Sequence, residues 1–443
     1  MKVSVLFSSS RSHIPLGGDP TKYSAEVSPE GLIEQLREAQ TVLRQLSAHD
    51  IIALLDAVAR AWSRPDHPLA TTLRERELSF LTLWMRQRNL ERFCDLSLRG
   101  DRRCLDEFRT LAADDPRVFK AQPRGLVVHW VAGNVPVLGI ISVVQGLLTK
   151  NANLVKVPGS DAGLLPLLLE SMAEVSCTAP SGRVLQGSVL TNAVCAVYSD
   201  RGDLDAGRWL SAAADVRLAW GGREAVEAIM NLPRRFGTED VIFGPRLSFA
   251  VIGAESLGSD EDARQVARRV ARDASAFDQR GCNSPHTVFV ESGGRTSPSG
   301  FAQILAEEMD GIHQRQPLRA IAPSEAMEIL TCRAEYTMSG VAWHSEGMGW
   351  TVLYSDSDHG LGGPCYARTV FVRPIADIFE TVPFCSLNTQ TVGFSVGDRR
   401  LDLADRLTAR GVERCPEVGG MSLYEAPWDG MFPMDRLVRW VSS

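Results

Sequence analysis

Gly125-Leu126-Val127-Val128-His129-Trp130-Val131-Ala132-Gly133-Asn134-Val135-Pro136 is the stretch on which the fold turns. A nearly unbroken apolar run followed by Gly-Asn-Val-Pro punctuation reads as a buried strand over 126–131 that closes in a turn. The apolar residues 137–148 then suit a buried helix, and 153–157 is a second strand. Pro158-Gly159-Ser160-Asp161 is a turn, with Ser160 or Asp161 placed to cap a helix running to about residue 175. Strand, helix, strand and helix continue over 193–198, 204–214, Val216–Trp220 and Arg223–Met230, the last opened by Gly221-Gly222. Such alternation implies right-handed crossovers and a parallel sheet covered on both faces. Ligands in sheets of this kind bind beyond the carboxyl ends of the strands. Asn134, Lys156 and Gly221-Gly222 fall at those ends.

Downstream of a strand at 248–252 the alternation restarts. Helix 260–275, strand 287–290, helices 299–309 and 323–333, and strands 351–354, 369–372 and 391–396 describe a second α/β unit. The boundary is expected around 250–260. Upstream, 29–62 reads as two helices, since Leu32, Leu36, Ala39 and Leu43 recur at helical spacing and Ile52, Leu55, Ala59 and Trp62 repeat the pattern. Residues 71–119 read as helical with mixed charge. No internal repeat or low-complexity tract is present.

Composition narrows the function classes. The 443 residues are enough for two or three domains, and 44% hydrophobic with 23% charged residues is ordinary for a globular protein. A net charge of −7 with no long basic tract argues against nucleic-acid binding. The nine scattered cysteines include no C-x-x-C pair and no zinc spacing, which points to free thiols in a reducing cytoplasm and to no metal site. The amino-terminal apolar run is too short for a secretion signal. Residues 126–149 carry no charge, but His129, Asn134, Pro136 and interior glycines fit a strand, turn and buried helix better than a membrane span.

Chemistry is expected at Asp278-Gln279-Arg280-Gly281-Cys282-Asn283-Ser284-Pro285-His286. Turn-forming residues on both sides of Cys282 can present its side chain at a cleft mouth. The alternative, a small buried thiol, is the commoner state of cysteine. His286 lies four residues on, but a strand-start histidine fits a structural role as well as a dyad. Gly221-Gly222 before a helix offers N–H groups to a pyrophosphate, or is a plain turn. Lys156 can pair with a ribose hydroxyl or a phosphate, or is a solvated strand-end lysine. Asn134 can donate to an oxyanion, or caps its own turn. The dinucleotide fingerprint G-x-G-x-x-G is absent, which disfavours an ordinary Rossmann dehydrogenase. Trp428-Asp429-Gly430 reads as a turn near the cleft or at a subunit contact.

Taken together, the segment 129–136, Leu147-Leu148-Thr149-Lys150-Asn151-Ala152-Asn153-Leu154-Val155-Lys156, Ala219-Trp220-Gly221-Gly222, Phe243-Gly244-Pro245, Cys282-Asn283-Ser284-Pro285 and Thr389-Gln390-Thr391-Val392-Gly393 resemble the acyl-CoA reductases of the LuxC type, a branch of the aldehyde dehydrogenase superfamily. The order matches over roughly 120–440. The resemblance implies an aldehyde-dehydrogenase-like α/β fold of two parallel-sheet domains with a helical N-terminal region. Its expected parts are a helical region 1–120 packed on the nucleotide domain, an NAD(P)-binding domain 121–255, a catalytic domain 256–415, and a segment 416–443 returning to the cofactor domain or an oligomer contact.

The implied activity is reduction of an acyl thioester, carried by coenzyme A or a carrier protein, to an aldehyde through a Cys282 acyl-enzyme. The resemblance gives Cys282 the acyl group and Asn134 the oxyanion. It gives Lys156 the adenosine ribose and the turn Trp220-Gly221-Gly222 the pyrophosphate. Gly159, beside Ser160, occupies a position where NAD-specific relatives often have glutamate, which favours NADPH over NADH. The glutamate of hydrolytic relatives is replaced within Ile242-Phe243-Gly244-Pro245, leaving Glu239 and Asp240 as nearby substitutes. A dimer or tetramer, with an acyl-activating or acyl-transferring partner enzyme, is the expected setting. Rival readings are an aldehyde-oxidising or CoA-acylating dehydrogenase, a cysteine acyltransferase, and a non-catalytic partner that keeps the fold.

Overall fold

The computed structural model describes residues 2–23, 29–135, 137–319 and 321–443. The chain forms two compact units. One comprises Met1–Gly244, Glu425–Pro427 and Met431–Ser443; the other comprises Pro245–Tyr424 and Trp428–Gly430. The division at Gly244–Pro245 falls upstream of the 255–256 position expected from sequence. The last stretch is shared out between the units at Tyr424 and again around Trp428–Gly430.

The first unit is built on a seven-stranded sheet. Its order is Glu239–Phe243, Val216–Trp220, Leu126–Trp130, Ala152–Lys156, Val194–Tyr198, Ser4–Ser8 and Arg11–Ser12. The first five are mutually parallel, and Ser4–Ser8 joins antiparallel to Val194–Tyr198. Leu126, Val127, Val128 and His129 are fully buried, as strands covered on both faces require. Inside the sheet His129 Nε2 meets Asn153 Oδ1 at 3.0 Å, while its Nδ1 has no partner among the described residues. The helix Leu138–Leu148 explains the charge-free run, since every residue from Gly139 to Leu148 is buried. A Cβ on Gly146 would lie 1.9 Å from Asn153 Oδ1, so glycine is what lets this helix approach the strand. No helix among the described residues is long and apolar enough to cross a membrane.

Several expectations are corrected here. Residues 71–119 are not one helical stretch: they hold Ala70–Glu75, Leu81–Trp84 and Gln87–Ser97, and a 3-10 turn at Arg102–Leu105. Positive φ at Glu77, Arg99 and Gly100 interrupts them. Phe119–Pro123 is instead a strand, paired antiparallel with Val438–Ser442. The helix after Lys156 starts at Leu164 with Gly163 at its N-cap and no side-chain cap, so Ser160 does not cap it. Pro136 and the Asp161 side chain, named in the expected turns, lie outside the described residues.

The second unit is a six-stranded sheet in the order Val341–His344, Thr351–Tyr354, Thr369–Ile375, Pro285–Glu291, Leu247–Ile252 and Thr389–Ser395. All neighbours are parallel except the antiparallel edge pair of Val341–His344 and Thr351–Tyr354. Helices Asp260–Ser275 and Pro298–Arg315 cover one face. Ala263, Val266, Ala267, Val270, Phe301, Leu305 and Met309 meet Ala250, Val288, Val352 and Val370 there. Helix Arg400–Thr408 covers the other face through Leu403 and Leu407, against Phe249, Phe289 and Val392. Asp260–Ser275 starts where Ser259 Oγ accepts from the Asp262 N–H, with three acids in its first turn against the helix dipole.

Candidate active site

In the first unit the chain leaves Leu126–Trp130 on one side, through Ala152–Lys156, and returns on the other as Val216–Trp220. That reversal is a switch point, the place where open α/β sheets leave a crevice beyond the strand ends. The turn containing Gly133 and Asn134, the segment Lys156 to Ser160, and Gly221-Gly222 all lie on this edge. A Cβ on Gly133 would stand 2.8 Å from Ser160 Oγ and 3.1 Å from Pro158, so two of these turns touch. Asn134 is exposed.

Gly222 is the N-cap of Arg223–Met230, with no side-chain cap, and a Cβ there would meet nothing within 4 Å. The helix end is thus open above its first N–H groups, as an anionic group needs. Lys156 is half-buried, and its ammonium makes no hydrogen bond or ion pair among the described residues. Burial first, and Arg201 second, pull its ammonium below the usual lysine range, against the opposing pull of Asp200. Asp200 accepts from the Tyr198 hydroxyl at 2.8 Å, and a Cβ on Gly159 would sit 3.1 Å from the Tyr198 ring. The Trp220 side chain points into the fold. Its Nε1 donates to Ser142 Oγ at 3.0 Å and its ring stacks on Phe243 at 3.7 Å. Only the backbone of the Trp220-Gly221-Gly222 turn is left for a ligand.

The two carboxylates held as substitutes for the missing glutamate are occupied. Glu239 pairs with Arg436 and with Arg124 at 3.2 Å. Asp240 receives both Arg217 Nε at 2.6 Å and Arg217 Nη2 at 2.7 Å, and pairs with Arg234. Both sit at the amino end of Glu239–Phe243, the opposite end from Gly221.

In the second unit Cys282 follows a backbone held in an unusual shape. Phe277, Asp278 and Gln279 have φ of 50, 55 and 64°, and Tyr366, Ala367 and Arg368 have 58, 46 and 61°. Left-handed non-glycine residues cost about 1–3 kcal/mol each and persist only where surroundings fix them. Here the two strained triplets fix each other. Buried Asp278 accepts from Arg368 Nη2 at 2.7 Å and Nε at 3.1 Å. Gln279 donates to the Pro285 and Thr369 carbonyls at 2.9 and 2.8 Å and accepts from the Thr369 N–H at 2.8 Å.

Beyond this clamp, Ser248 Oγ donates to the Cys282 carbonyl at 2.7 Å and accepts from the Thr391 N–H at 3.1 Å. Asn283 Nδ2 donates to the Met421 carbonyl at 2.8 Å. A Cβ on Gly281 would fall 2.5 Å from Asn283 Oδ1, which explains the glycine before the cysteine. Cys282 as a residue is only partly buried. Its sulfur nevertheless lies among tightly packed groups, and this burial pushes the thiol up to about 12. The charge of Asp429 adds to the rise; a Gln390 hydrogen bond, the Cys282 backbone N–H and Arg414 oppose it. His286 is buried and held neutral, its pKa pulled down to about 4. Its ring stands edge-on to Tyr366 and its Nδ1 has no hydrogen-bond partner, so it offers no dyad in this state.

A sequence profile of the acyl-CoA reductase (LuxC) family matches residues 43–440. The chain belongs to that family. Among curated LuxC-type relatives, the long-chain acyl-protein thioester reductase of Vibrio harveyi is 30% identical over 330 residues, covering 73% of this chain and 65% of the relative. The reductase of the same description from Aliivibrio fischeri is 29% identical, covering 73% and 64%. The chain therefore spans a little under two thirds of the length of these first relatives. In fold it resembles aldehyde dehydrogenase 21 from Physcomitrella patens (TM-score 0.67, 12% identity, 99% of this chain and 97% of that one). It also resembles an NAD-dependent benzaldehyde dehydrogenase from Corynebacterium glutamicum (TM-score 0.62, 14% identity, 100% and 95%). The fold is aldehyde-dehydrogenase-like.

Within this family member, sequence reasoning gave no role to Gln390 or Asp429, although both lie in stretches it singled out, and it did not mention Arg414. Gln390 is fully buried on Thr389–Ser395, and its Nε2 donates to Asp429 Oδ1. Arg414 lies 4.5 Å over the Trp428 ring and donates to the Leu423 carbonyl at 2.9 Å. The usable signals were a glutamine in a strand that is buried throughout, and an aspartate between tryptophan and glycine.

Proposed function

We propose that the chain reduces an acyl thioester to an aldehyde through an acyl-enzyme on Cys282, with NADPH as the reductant. The observation that carries this reading is the setting of Cys282. It is a partly buried cysteine, preceded by the clamped triplet 277–279, whose carbonyl is held by Ser248 Oγ at 2.7 Å and whose neighbour Asn283 is anchored on the Met421 carbonyl at 2.8 Å. The Cys282 sulfur attacks the thioester carbonyl and a new C–S bond forms. The old C–S bond breaks, and the carrier leaves as a thiol with the proton that Cys282 gave up. Exchange of one thioester for another is close to neutral in energy, so a nucleophile of ordinary strength suffices. The Asn134 amide and the Cys282 N–H are the proposed holders of the oxyanion; losing one such donor costs about 2.7–4 kcal/mol of barrier.

The residues at the switch-point edge suit a dinucleotide: an open helix N-terminus at Gly222, the unpaired Lys156, and Gly159-Ser160 beside it. A reduced nicotinamide, when bound, supplies hydride to an acyl carbon. The lean to NADPH over NADH rests on Gly159, where no carboxylate repels a 2′-phosphate. The acyl donor is proposed to be coenzyme A or a carrier protein, the assembly a homodimer or tetramer, and the supplier an acyl-activating or acyl-transferring enzyme.

A panel of acyl-CoAs and carrier-bound acyl groups, followed by NADPH absorbance and aldehyde trapping, tests the reading. Intact mass should show an acyl adduct that Cys282→Ala abolishes. An adduct that survives this substitution, or acylation without any NADPH consumption, overturns it.

A further inference from the structure

We propose that Cys332 and Cys365 form a redox-modification site: hydrogen peroxide joins them in a reversible disulfide, and that bond loosens the backbone clamp ahead of Cys282. Their sulfurs stand 3.6 Å apart although the residues are 33 positions apart in sequence. Bonded sulfurs lie about 2.0 Å apart, so closure needs a movement of roughly 1.5 Å. Cys365 is 1% exposed, while Cys332 is only partly buried. Both line a cavity of about 650 Å³ in the second unit, with Tyr336 and Gly363 among its walls. A small oxidant can therefore reach Cys332, and Cys365 stands behind it as the second thiol.

The charges around the cavity select the oxidant. Glu328 and Glu335 are exposed and line it, so an uncharged peroxide is favoured over an anionic disulfide. Burial pushes both thiols up, and the hydrogen bond from Cys365 opposes the rise at Cys332. The Cys332 sulfur attacks one peroxide oxygen and the O–O bond breaks. Cys332 becomes a sulfenic acid, and the other oxygen leaves as water with the thiol proton. The Cys365 sulfur then attacks the Cys332 sulfur. An S–S bond forms, the S–O bond breaks, and a second water leaves with the Cys365 proton. Two thiols are oxidised by two electrons and one peroxide is reduced to two waters. Exchange with a small thiol reverses the bond.

The position of each sulfur decides what moves. Cys332 lies on the helix Pro323–Ser339, which is the fixed side. Arg333, next to it, donates to Thr351 Oγ1 at 2.9 Å and to the Gly347 and Trp350 carbonyls at 2.9 and 3.1 Å. Glu325, on the same helix, accepts from Arg280 at 2.8 and 2.9 Å. Cys365 is on the yielding side, since residues 355–368 form no helix or strand and a Cβ on Gly363 would meet nothing within 4 Å. Cys365 runs directly into Tyr366, Ala367 and Arg368, the left-handed triplet whose Arg368 holds Asp278 at 2.7 and 3.1 Å. Closing the S–S bond draws Cys365 towards the helix and pulls on that grip. The chemistry of the pair is independent of what Cys282 does; its consequence for acyl transfer rests on the function proposed above.

The experiment treats the purified, reduced full chain with hydrogen peroxide, blocks the remaining thiols with iodoacetamide and maps linked peptides by mass spectrometry. A Cys332–Cys365 peptide pair should appear, and dithiothreitol should separate it. Hydrogen exchange over 277–286 and 366–369 should be about tenfold faster in the oxidised chain, the effect of losing one hydrogen bond between charged groups. Cys332→Ser given the same peroxide should keep the exchange of the reduced parent, which separates the pair from any oxidation of Cys282 itself. Absence of the linked peptide, whether or not Cys332 is carried on to a sulfinic acid, overturns the site. Unchanged exchange over 277–286 in the linked chain, or equally fast exchange in peroxide-treated Cys332→Ser, overturns the coupling. Should Cys332→Ser not fold, Cys332→Ala carries the same outcomes. If the link forms and exchange quickens while the reduced parent reduces no acyl thioester, the proposed function fails and the redox pair stands.

Discussion

Replacing Asp278 with asparagine should loosen the cysteine loop without changing its backbone preference. Asparagine tolerates the left-handed region as aspartate does, so φ 55° is not the variable. What disappears is a buried charge. Asp278 accepts from Arg368 at 2.7 and 3.1 Å and from Arg319 Nε at 3.3 Å, and Arg368 is 1% exposed. Removing one partner of a buried pair strands the other, at about 3–5 kcal/mol. The Asn carbonyl keeps one hydrogen bond, so the lower end, about 3 kcal/mol, is expected. Arg368 also donates to the Gln316 carbonyl at 2.7 Å, and that bond alone does not neutralise it. Asp278→Asn with Arg368→Met should therefore recover most of the loss. Hydrogen exchange over residues 277–286, with urea unfolding of the whole chain, reads the effect. Acylation of Cys282 should fall about a hundredfold, as a displacement near 1 Å does. A single variant within about 0.5 kcal/mol of the parent, or a double variant no better than the single, refutes the argument.

Ser248→Ala leaves the Cys282 carbonyl and the Thr391 N–H without their shared hydroxyl; a loss of about 2 kcal/mol and slower acylation are expected, measured by denaturation and single-turnover mass spectrometry. Lys156→Met should weaken NADPH binding about tenfold by fluorescence titration, the scale of one lost charge-assisted bond. Gly159→Glu should shift the ratio of kcat/KM towards NADH, and the new side chain must also move the Tyr198 ring. Acid should destabilise the fold through His129 and His286, whose folded pKa values are depressed to about 4 by burial. The unfolded chain then binds more protons, so this stability is complete above about pH 6.5 and is lost as pH falls towards 4. Each histidine contributes roughly 3 kcal/mol, and His129→Gln, which can still pair with Asn153, should flatten the acid limb of a pH–stability profile.

The parallel sheets were legible because both faces of each strand are apolar and each strand is followed by a turn and a helix. Asp260–Ser275 could be read to the residue from its cap, its acidic first turn and its alanine and valine stripe. The amino-terminal strand Ser4–Ser8 was not legible as a strand. Its partner Val194–Tyr198 lies far along the chain, and only the pairing distinguishes it from a stray apolar run. The breaks within 71–119 were hidden for a related reason: the left-handed residues Glu77 and Arg99 are types that give no turn signal. At the site, the switch-point edge followed from strand order alone. The cysteine did not, because Cys282 precedes Pro285–Glu291 and so stands at the amino end of its sheet, where the strand-end rule does not look. Gln390 and Asp429 are 39 residues apart in sequence, and only the return of the chain at Trp428–Gly430 brings them together.

The placement of Glu239 and Asp240 bears on why a thioester would be kept for reduction instead of hydrolysed. A water-activating carboxylate must be free to take a proton, with a pKa raised into the working range. Asp240 is instead clamped by Arg217, which is fully buried and also donates to Ser211 Oγ and the Ile229 carbonyl. Glu239 is held by Arg436 and Arg124. The oxygens of both carboxylates are thereby engaged by guanidinium N–H groups instead of standing open to a water. Both residues also start the strand whose far end carries Phe243, beside Trp220. At about 3.3 Å per residue that separates them from the switch-point edge by roughly 13 Å. The carboxylates nearest the missing glutamate in sequence are thus the ones the fold has committed elsewhere. Substituting Ile242, the residue that stands where the glutamate would, with glutamate is the stringent converse: if a carboxylate near this strand end is all that hydrolysis lacks, the variant should release free acid from an acyl donor, read by mass spectrometry. Unchanged aldehyde with no acid would show that excluding the base is not what preserves the acyl group.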